Sequence, residues 1–348
     1  MLPRLAVVGL NHGHALARAV QAGHAAKLVG LCTRNPDRHR SKALELDAPL
    51  FNNLDDMLRQ LRPDGVALAA PTSELVSLAK KCLAHHVSVL IEKPGGMNVA
   101  DVEALQRATA QSHARVVVGY YRRLARQVVA LKELLDAGAI GEVCGFSCKL
   151  VIRKPRDYFR DWKASRALGG GCLMINAIHD LDLLQHLFGP VESVAAFESN
   201  TQPAGDVEHC LAITIKFASG PVGTAVFADQ CPSPYAYDTT VAAVSRFPQY
   251  PVDSHHFFGT AGSLAFPSFR LHSPADAFSS WYDLLKSALV SNANALIDDP
   301  ITREIERFAL VLRGQALPHA TLEDAIRNLK VVEAVRRSVE HSQIVRLY

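Results

Sequence analysis

The sequence predicts an α/β protein of two domains: a parallel sheet covered by helices on both faces, then helices around a mainly antiparallel, mixed sheet. Three observations predict it. Short, near-continuous apolar runs alternate with helix-period segments over the first third of the chain. From Val191 onward, extended segments follow one another without intervening helices. The 348 residues also exceed what one ordinary core fills.

The elements follow in order. Leu5 to Val8 reads as a strand, Ala15 to Ala22 as a helix, Lys27 to Cys32 as a strand, and Pro36 to Leu46 as a helix. Strands at Asp64 to Ala69, Val87 to Ile91 and Val116 to Gly119 alternate with helices at Ser73 to His85 and Val99 to Gln111. The pattern changes near Arg122, which divides the chain into domains at 1–121 and 122–348. A helix from Leu124 to Leu135 and a long strand from Glu142 to Ile152 open the second domain, and a glycine-rich turn and helix occupy 169–188. Strands are predicted at Val191 to Glu198, Cys210 to Phe217 and Val222 to Ala228, with shorter pieces between Asp238 and Leu271. Two helices close the chain, Thr302 to Arg313 and Leu322 to His341, the last led by a capping-box variant at Thr321–Asp324.

A net charge of +3 with no long run of either sign argues against a nucleic-acid footprint or a polybasic membrane patch. Seven scattered cysteines without a CxxC pair fit reduced thiols, and with no leader or spanning segment in view the expected location is cytoplasmic.

The first candidate site is the turn Gly9-Leu10-Asn11-His12-Gly13-His14 after the first strand. A glycine-bearing strand–turn–helix is where a Rossmann fold places a pyrophosphate, because the backbone can approach closely and the helix N-terminus offers free N–H groups. Gly9 stands at the first glycine, Asn11 at the second and His14 at the third, with Gly13 one position early. By itself the turn equally suits an ordinary βα connection. His12 and His14 are read as turn residues near the phosphates and not as metal ligands, since no carboxylate or cysteine lies at ligand spacing. No metal is expected anywhere.

After the second strand come Thr33, Arg34 and Arg38, where a carboxylate would hold the adenosine ribose of NAD. A hydroxyl and guanidinium groups favour a 2′-phosphate, so NADP is the expected cofactor, with NAD possible. The fifth apolar strand ends in Glu92-Lys93-Pro94, and the proline holds Lys93 in extended backbone. A lysine at a strand's carboxyl end, beside a nicotinamide, can stabilise a developing alkoxide.

In chain order, VVGL (7–10), APT (70–72), IEKPG (91–95), GYYRR (119–123), IGEV (140–143), GGGCLMINAIHDLDLL (169–184) and GTAGSLAFPS (259–268) span nearly the whole sequence. Together they resemble the Gfo/Idh/MocA oxidoreductases. The resemblance implies a Rossmann domain followed by an α/β domain whose large open sheet lines a substrate cleft and packs against another subunit, as homodimer or homotetramer. It also implies hydride transfer on a sugar, cyclic polyol or related hydroxy compound, with Ala70, Pro71 and Thr72 near the cofactor.

On an ideal helix, Leu173, Met174, Ala177, Ile178, Leu181 and Leu184 share one arc, opposite Asn176, His179 and His186, with Asp180 and Asp182 at the edges. The resemblance makes His179 the general base. The family's acid four residues earlier falls on Ile175, leaving Asn176 and Asp180 as candidate partners of His179. Tyr120, Arg122 and Trp162 complete the expected substrate contacts. Two rivals to simple dehydrogenation stay open: a redox-cycling lyase, epimerase or glycosidase that retains its cofactor, and a non-catalytic nucleotide-sensing protein.

Overall fold

A computed structural model describes residues 1–199, 205–241, 247–276 and 278–347. In chain order its elements are β1 (Arg4–Val8), α1 (Gly13–Ala22), β2 (Lys27–Cys32), α2 (Pro36–Glu45), β3 (Leu50–Phe51), α3 (Leu54–Leu61), β4 (Gly65–Leu68), α4 (Thr72–Ala84), β5 (Ser88–Glu92), α5 (Val99–Ala110) and β6 (Val116–Gly119). There follow α6 (Arg126–Asp136), β7 (Val143–Val151), a π-helical turn (Leu173–Ala177), α7 (Ile178–Phe188), β8 (Val191–Glu198), β9 (Cys210–Phe217), β10 (Val222–Ala228) and α8 (Tyr237–Thr240). The chain ends with β11 (His255–Gly259), β12 (Gly262–Phe266), β13 (Arg270–Ser273), β14 (Lys286–Leu289), α9 (Pro300–Leu312), α10 (Leu322–His341) and β15 (Val345–Arg346).

The chain forms two compact units. The first comprises Met1–Leu124 with Pro300–Leu329, and the second Ala125–Asp299 with Lys330–Tyr348. The sequence reading placed everything after residue 121 in the second domain; α9 and the start of α10 belong instead with the first. The reason is packing. Ile305, Phe308, Ala309 and Val311 of α9 lie in the same buried cluster as Leu5, Val7, Leu16 and Val20. A Cβ on Gly65 would sit 2.9 Å from the Phe308 ring, so the bare strand start makes room for it. Burying that ring contributes roughly 1.5–3 kcal/mol.

The first unit is a six-stranded parallel sheet in the order β3-β2-β1-β4-β5-β6, the Rossmann arrangement. β3 and α3 were not foreseen. The signal for α3 is present, however: Asn53 caps it by accepting the Asp56 N–H at 3.2 Å, and Leu54, Met57 and Leu58 form its buried stripe.

The second unit is built on a nine-stranded mixed sheet, β14-β13-β12-β11-β7-β10-β9-β8-β15, in which only β7 and β10 pair in parallel. Along β9, Leu211, Ile213, Ile215 and Phe217 are buried while Ala212, Thr214 and Lys216 are exposed, so one face is covered and the other open. Of the strand pieces expected between Asp238 and Leu271, β11, β12 and the start of β13 are present, while a short helix, α8, stands where the first was expected; 242–246 lie outside the described residues. β14 and β15 extend the sheet beyond what alternation revealed. Among the described residues no helix is long and apolar enough to cross a membrane.

Candidate functional site

In the first unit, a cavity of about 300 Å³ opens where β1, β2 and β4 end, at the reversal of strand order. Open parallel sheets bind ligands at such crevices. The cavity gathers Gly9, Asn11, Thr33, Arg34, Arg38, Ala70 and Pro71 of the predicted cofactor residues, along with Glu74. A larger open depression of about 930 Å³, near Pro3, Arg4 and Ser88, lies at the amino ends of β1 and β5, where that rule places no ligand.

Local geometry explains the glycine turn. Gly9 has φ +84°, and a Cβ there would fall 2.5 Å from the Ala69 carbonyl oxygen. Gly13 opens α1, where a Cβ would stand 3.0 Å from Val7 and 3.1 Å from Ala69. Close helix–strand packing is therefore assigned to Gly13, not to His14 at the motif's third position. The backbone cradle suits a pyrophosphate: the side chains that would fill it are absent, and the first turn of α1 carries no carboxylate.

The two turn histidines each face a carboxylate. His12 Nε2 is 3.0 Å from the carboxylate of Glu92, and His14 Nε2 is 3.2 Å from Glu45. Glu92 is buried; burial pushes its carboxyl up, but His12 and Lys93 outweigh that and hold it below the usual carboxylate range. Neither histidine lines the cavity, nor do Thr72, Lys93 or Pro94. Lys93 is half-buried and joined to Pro94 by a cis peptide bond, with Gly95 at φ +90° completing the turn. Arg34 meets Glu74 at 2.8 Å.

Two of the predicted substrate contacts, Tyr120 and Arg122, are buried. Tyr120 is fully buried, and its hydroxyl accepts a hydrogen bond at 3.0 Å from Asn328 of α10. Arg122 is 1% exposed. Both follow β6, whose chain turns inward through a 3-10 turn at Tyr121–Leu124. Arg123 bonds the His319 carbonyl at 3.2 Å and faces Asp324 at 3.4 Å.

In the second unit, the segment read as one α-helix begins with the π-helical turn Leu173–Ala177. The wider turn departs from the uniform 100° wheel on which Asn176 and His179 were placed. Residues from Ile178 to Leu184 are all buried, including His179 at 7% exposure. Asn176 and Ile175 are half-buried. Asp180 is fully buried, 3.4 Å from His255 Nε2, whose Nδ1 lies 2.9 Å from Ser254 Oγ. That places Asp180 in the core, facing His255 of β11.

Cys148 sits opposite His255 in the β7–β11 register, and Cys148, Asp180 and His255 bring ligand atoms within 4.8 Å of one another. The sequence reading expected no metal. These three groups fall short of the four that a closed zinc site uses.

Other residues the sequence reading passed over shape this region. Glu208, 2% exposed, accepts the Leu173 N–H at 3.0 Å, and a Cβ on Gly171 would lie 2.5 Å from it. Burial pushes its carboxyl up. Lys154 donates to Asp229 at 2.9 Å, and His209 Nδ1 lies 3.0 Å from the same carboxylate, all three buried. The signal was available: Asp229 directly follows the last residue of β10, as Lys93 follows β5. Trp162 is half-buried in a short turn, and a Cβ on Gly170 would sit 2.6 Å from its carbonyl oxygen.

Residues 3–120 match the family described as an oxidoreductase family with an NAD-binding Rossmann fold, and residues 128–265 match the GFO/IDH/MocA C-terminal domain. Myo-inositol 2-dehydrogenase of Thermotoga maritima is 26% identical over 248 residues, 68% of this chain and 71% of that protein. An uncharacterised oxidoreductase of Synechocystis is 28% identical over 196 residues, 55% of this chain and 53% of that protein. This chain thus aligns with about half to seven tenths of these relatives' length. Among solved structures, scyllo-inositol dehydrogenase from Lactobacillus casei with NAD(H) and scyllo-inositol superposes with TM-score 0.78 at 19% identity, covering 100% of this chain and 99% of that one. WlbA dehydrogenase from Bordetella pertussis with NADH and UDP-GlcNAcA gives 0.79 at 21% identity, with the same coverage.

Proposed function

Because the chain belongs to the GFO/IDH/MocA family of oxidoreductases, we propose that it transfers a hydride between a nicotinamide cofactor and a secondary alcohol of a sugar, cyclic polyol or related hydroxy compound. The observation that carries the reading is the cavity at the carboxyl ends of β1, β2 and β4, where Gly9, Asn11, Thr33 and Arg34 meet. The named relatives act on or bind myo-inositol, scyllo-inositol and a nucleotide-linked acidic sugar, which supports that substrate range.

Gly9 and the start of α1 would hold the pyrophosphate, and Arg34 a 2′-phosphate, so NADP is the proposed partner, with NAD possible. When bound, the nicotinamide supplies the redox chemistry. His179 takes the hydroxyl proton: its burial excludes competing water, and an imidazole suits proton transfer near neutral pH. Lys93 stabilises the alkoxide from its fixed turn. Asn176 orients the substrate hydroxyls. The open face of the second unit's sheet is proposed to pack against a second copy, giving a homodimer or homotetramer, and the protein is proposed to work in the cytoplasm.

Lys93→Ala and His179→Ala test the roles, with myo-inositol and scyllo-inositol as probes and reduced-nicotinamide absorbance as readout. Each variant should lose about a hundredfold or more in kcat while nucleotide binding, followed by calorimetry, stays within about twofold of wild type. Near-normal turnover in either variant overturns its role.

A further inference from the structure

The segment joining β7 to the π-helical turn carries Arg153, Lys154, Arg156, Arg160, Lys163 and Arg166 against Asp157 and Asp161, a net +4 where the whole chain is +3. Crowding like charges costs free energy unless something answers them. Part of the answer lies in the fold. Lys154 pairs with buried Asp229, whose other oxygen meets His209, and Arg166 lies 3.6 Å from both Glu198 and Glu208.

Lys163 is answered differently. Its ammonium rests 4.0 Å from the centre of the Tyr158 ring, which Lys154 also approaches at 4.4 Å. One ring thus faces two cations, and a single carboxylate, Asp229, neutralises only Lys154. No carboxylate lies within 4.0 Å of Lys163 Nζ among the described residues.

The position of Lys163 is set by backbone, not by chance. Its carbonyl accepts the Gly171 N–H at 3.3 Å, and a Cβ on Gly170 would fall 2.5 Å from the same oxygen. The lysine is therefore pinned to the glycine turn that leads directly into Asn176 and His179. Replacing Gly170 with any larger residue would push it away.

From this we infer that the substrate is an acid: a polyhydroxy compound carrying a carboxylate, which Lys163 binds from its seat on Tyr158. One ammonium held by a ring and by no carboxylate among the described residues matches the single charge of a carboxylate better than a phosphate dianion. The inference rests on the hydride-transfer reading for the identity of the reacting hydroxyl, and on the Lys163 geometry alone for the acid.

The test is calorimetric titration of the full chain, saturated with NADP, with three acids against their neutral counterparts: glucuronate and glucose, galacturonate and galactose, gluconate and glucitol. Glucose 6-phosphate serves as the phosphate arm. At least one acid should bind about tenfold or more tightly than its neutral counterpart. Lys163→Met should abolish that preference, and Lys163→Arg should retain most of it, with melting curves confirming that both variants are folded. The inference is overturned if the neutral member binds as tightly in every pair, if nothing binds, if glucose 6-phosphate outcompetes every acid, or if the preference survives Lys163→Met. Turnover is read separately by nicotinamide absorbance. An acid that binds through Lys163 without turnover sustains this inference and removes the hydride-transfer reading.

Discussion

Arg34 and Glu74 meet at 2.8 Å on the rim of the cavity where β1, β2 and β4 end, the guanidinium just past β2 and the carboxylate in the first turn of α4. The arginine that would hold a 2′-phosphate thus already has a partner, but an exposed one that solvent screens, since the Arg34 side chain is 72% exposed. The proposed 2′-phosphate would have to displace it.

Arg34→Ala should weaken NADP about tenfold or more and NAD about twofold or less. Glu74→Gln should shift the preference further toward NADP by removing a nearby negative charge. Equal losses for both nucleotides in Arg34→Ala, measured by calorimetry, would contradict the proposed preference.

Gly9→Ala is expected to lose nucleotide binding. The backbone at φ +84° costs an L-residue about 1–2 kcal/mol, and the new methyl must also displace the Ala69 carbonyl. The variant should melt lower and bind neither nucleotide tightly; wild-type affinity would show that the turn plays no part in binding.

Asp324 anchors the start of α10. Its carboxylate accepts the Thr321 N–H at 2.8 Å and the Thr321 hydroxyl at 2.9 Å, and its own N–H donates to Thr321 Oγ1 at 3.2 Å. Burial raises its carboxyl, but Arg123, the Thr321 groups and Arg327 outweigh that and lower it to about 2. A depressed acid stabilises the folded state fully above its unfolded value, near 3.8, and loses that contribution as pH falls toward about 2. Asp324→Asn should therefore cost about 2 kcal/mol at neutral pH. The gap from wild type, measured by urea unfolding, should narrow below about pH 4. A pH-independent gap would place the loss elsewhere.

His255→Ala should destabilise the protein by about 3–5 kcal/mol, because it leaves the Asp180 carboxylate buried without that partner and opens a cavity. Asp180→Asn in the same background should recover part of the loss, since the amide carries no charge. A double variant as unstable as additivity predicts would show the pair uncoupled.

The candidate site was legible where local chemistry sets geometry. Gly9 could be read because a strand–turn–helix needs positive φ and close approach, and Thr33 and Arg34 because they follow an apolar strand. Capping at Thr321–Asp324 was equally local. The acid–base partners in the second unit were not legible, because whether Asp180 meets His179 or His255 depends on which strand lies beneath the helix. The burial of Tyr120 and Arg122 was not legible for the same reason: an aromatic and a cation after a strand end look alike whether the chain turns outward or in.

Hydrophobic periodicity and strand-end chemistry, both local properties, determined from the sequence by itself the α/β class, the parallel first sheet, the mixed second sheet and the glycine turn. Only the tertiary structure decided that α9 joins the first unit, that a π-helical turn precedes His179, and that Lys163 sits on Tyr158 over the glycine turn. Each depends on groups distant in sequence meeting in space: Phe308 over Gly65, Glu208 against Gly171, and the Lys163 carbonyl against Gly170. No sequence period encodes such contacts, since they are settled by close packing and by where buried polar groups find partners.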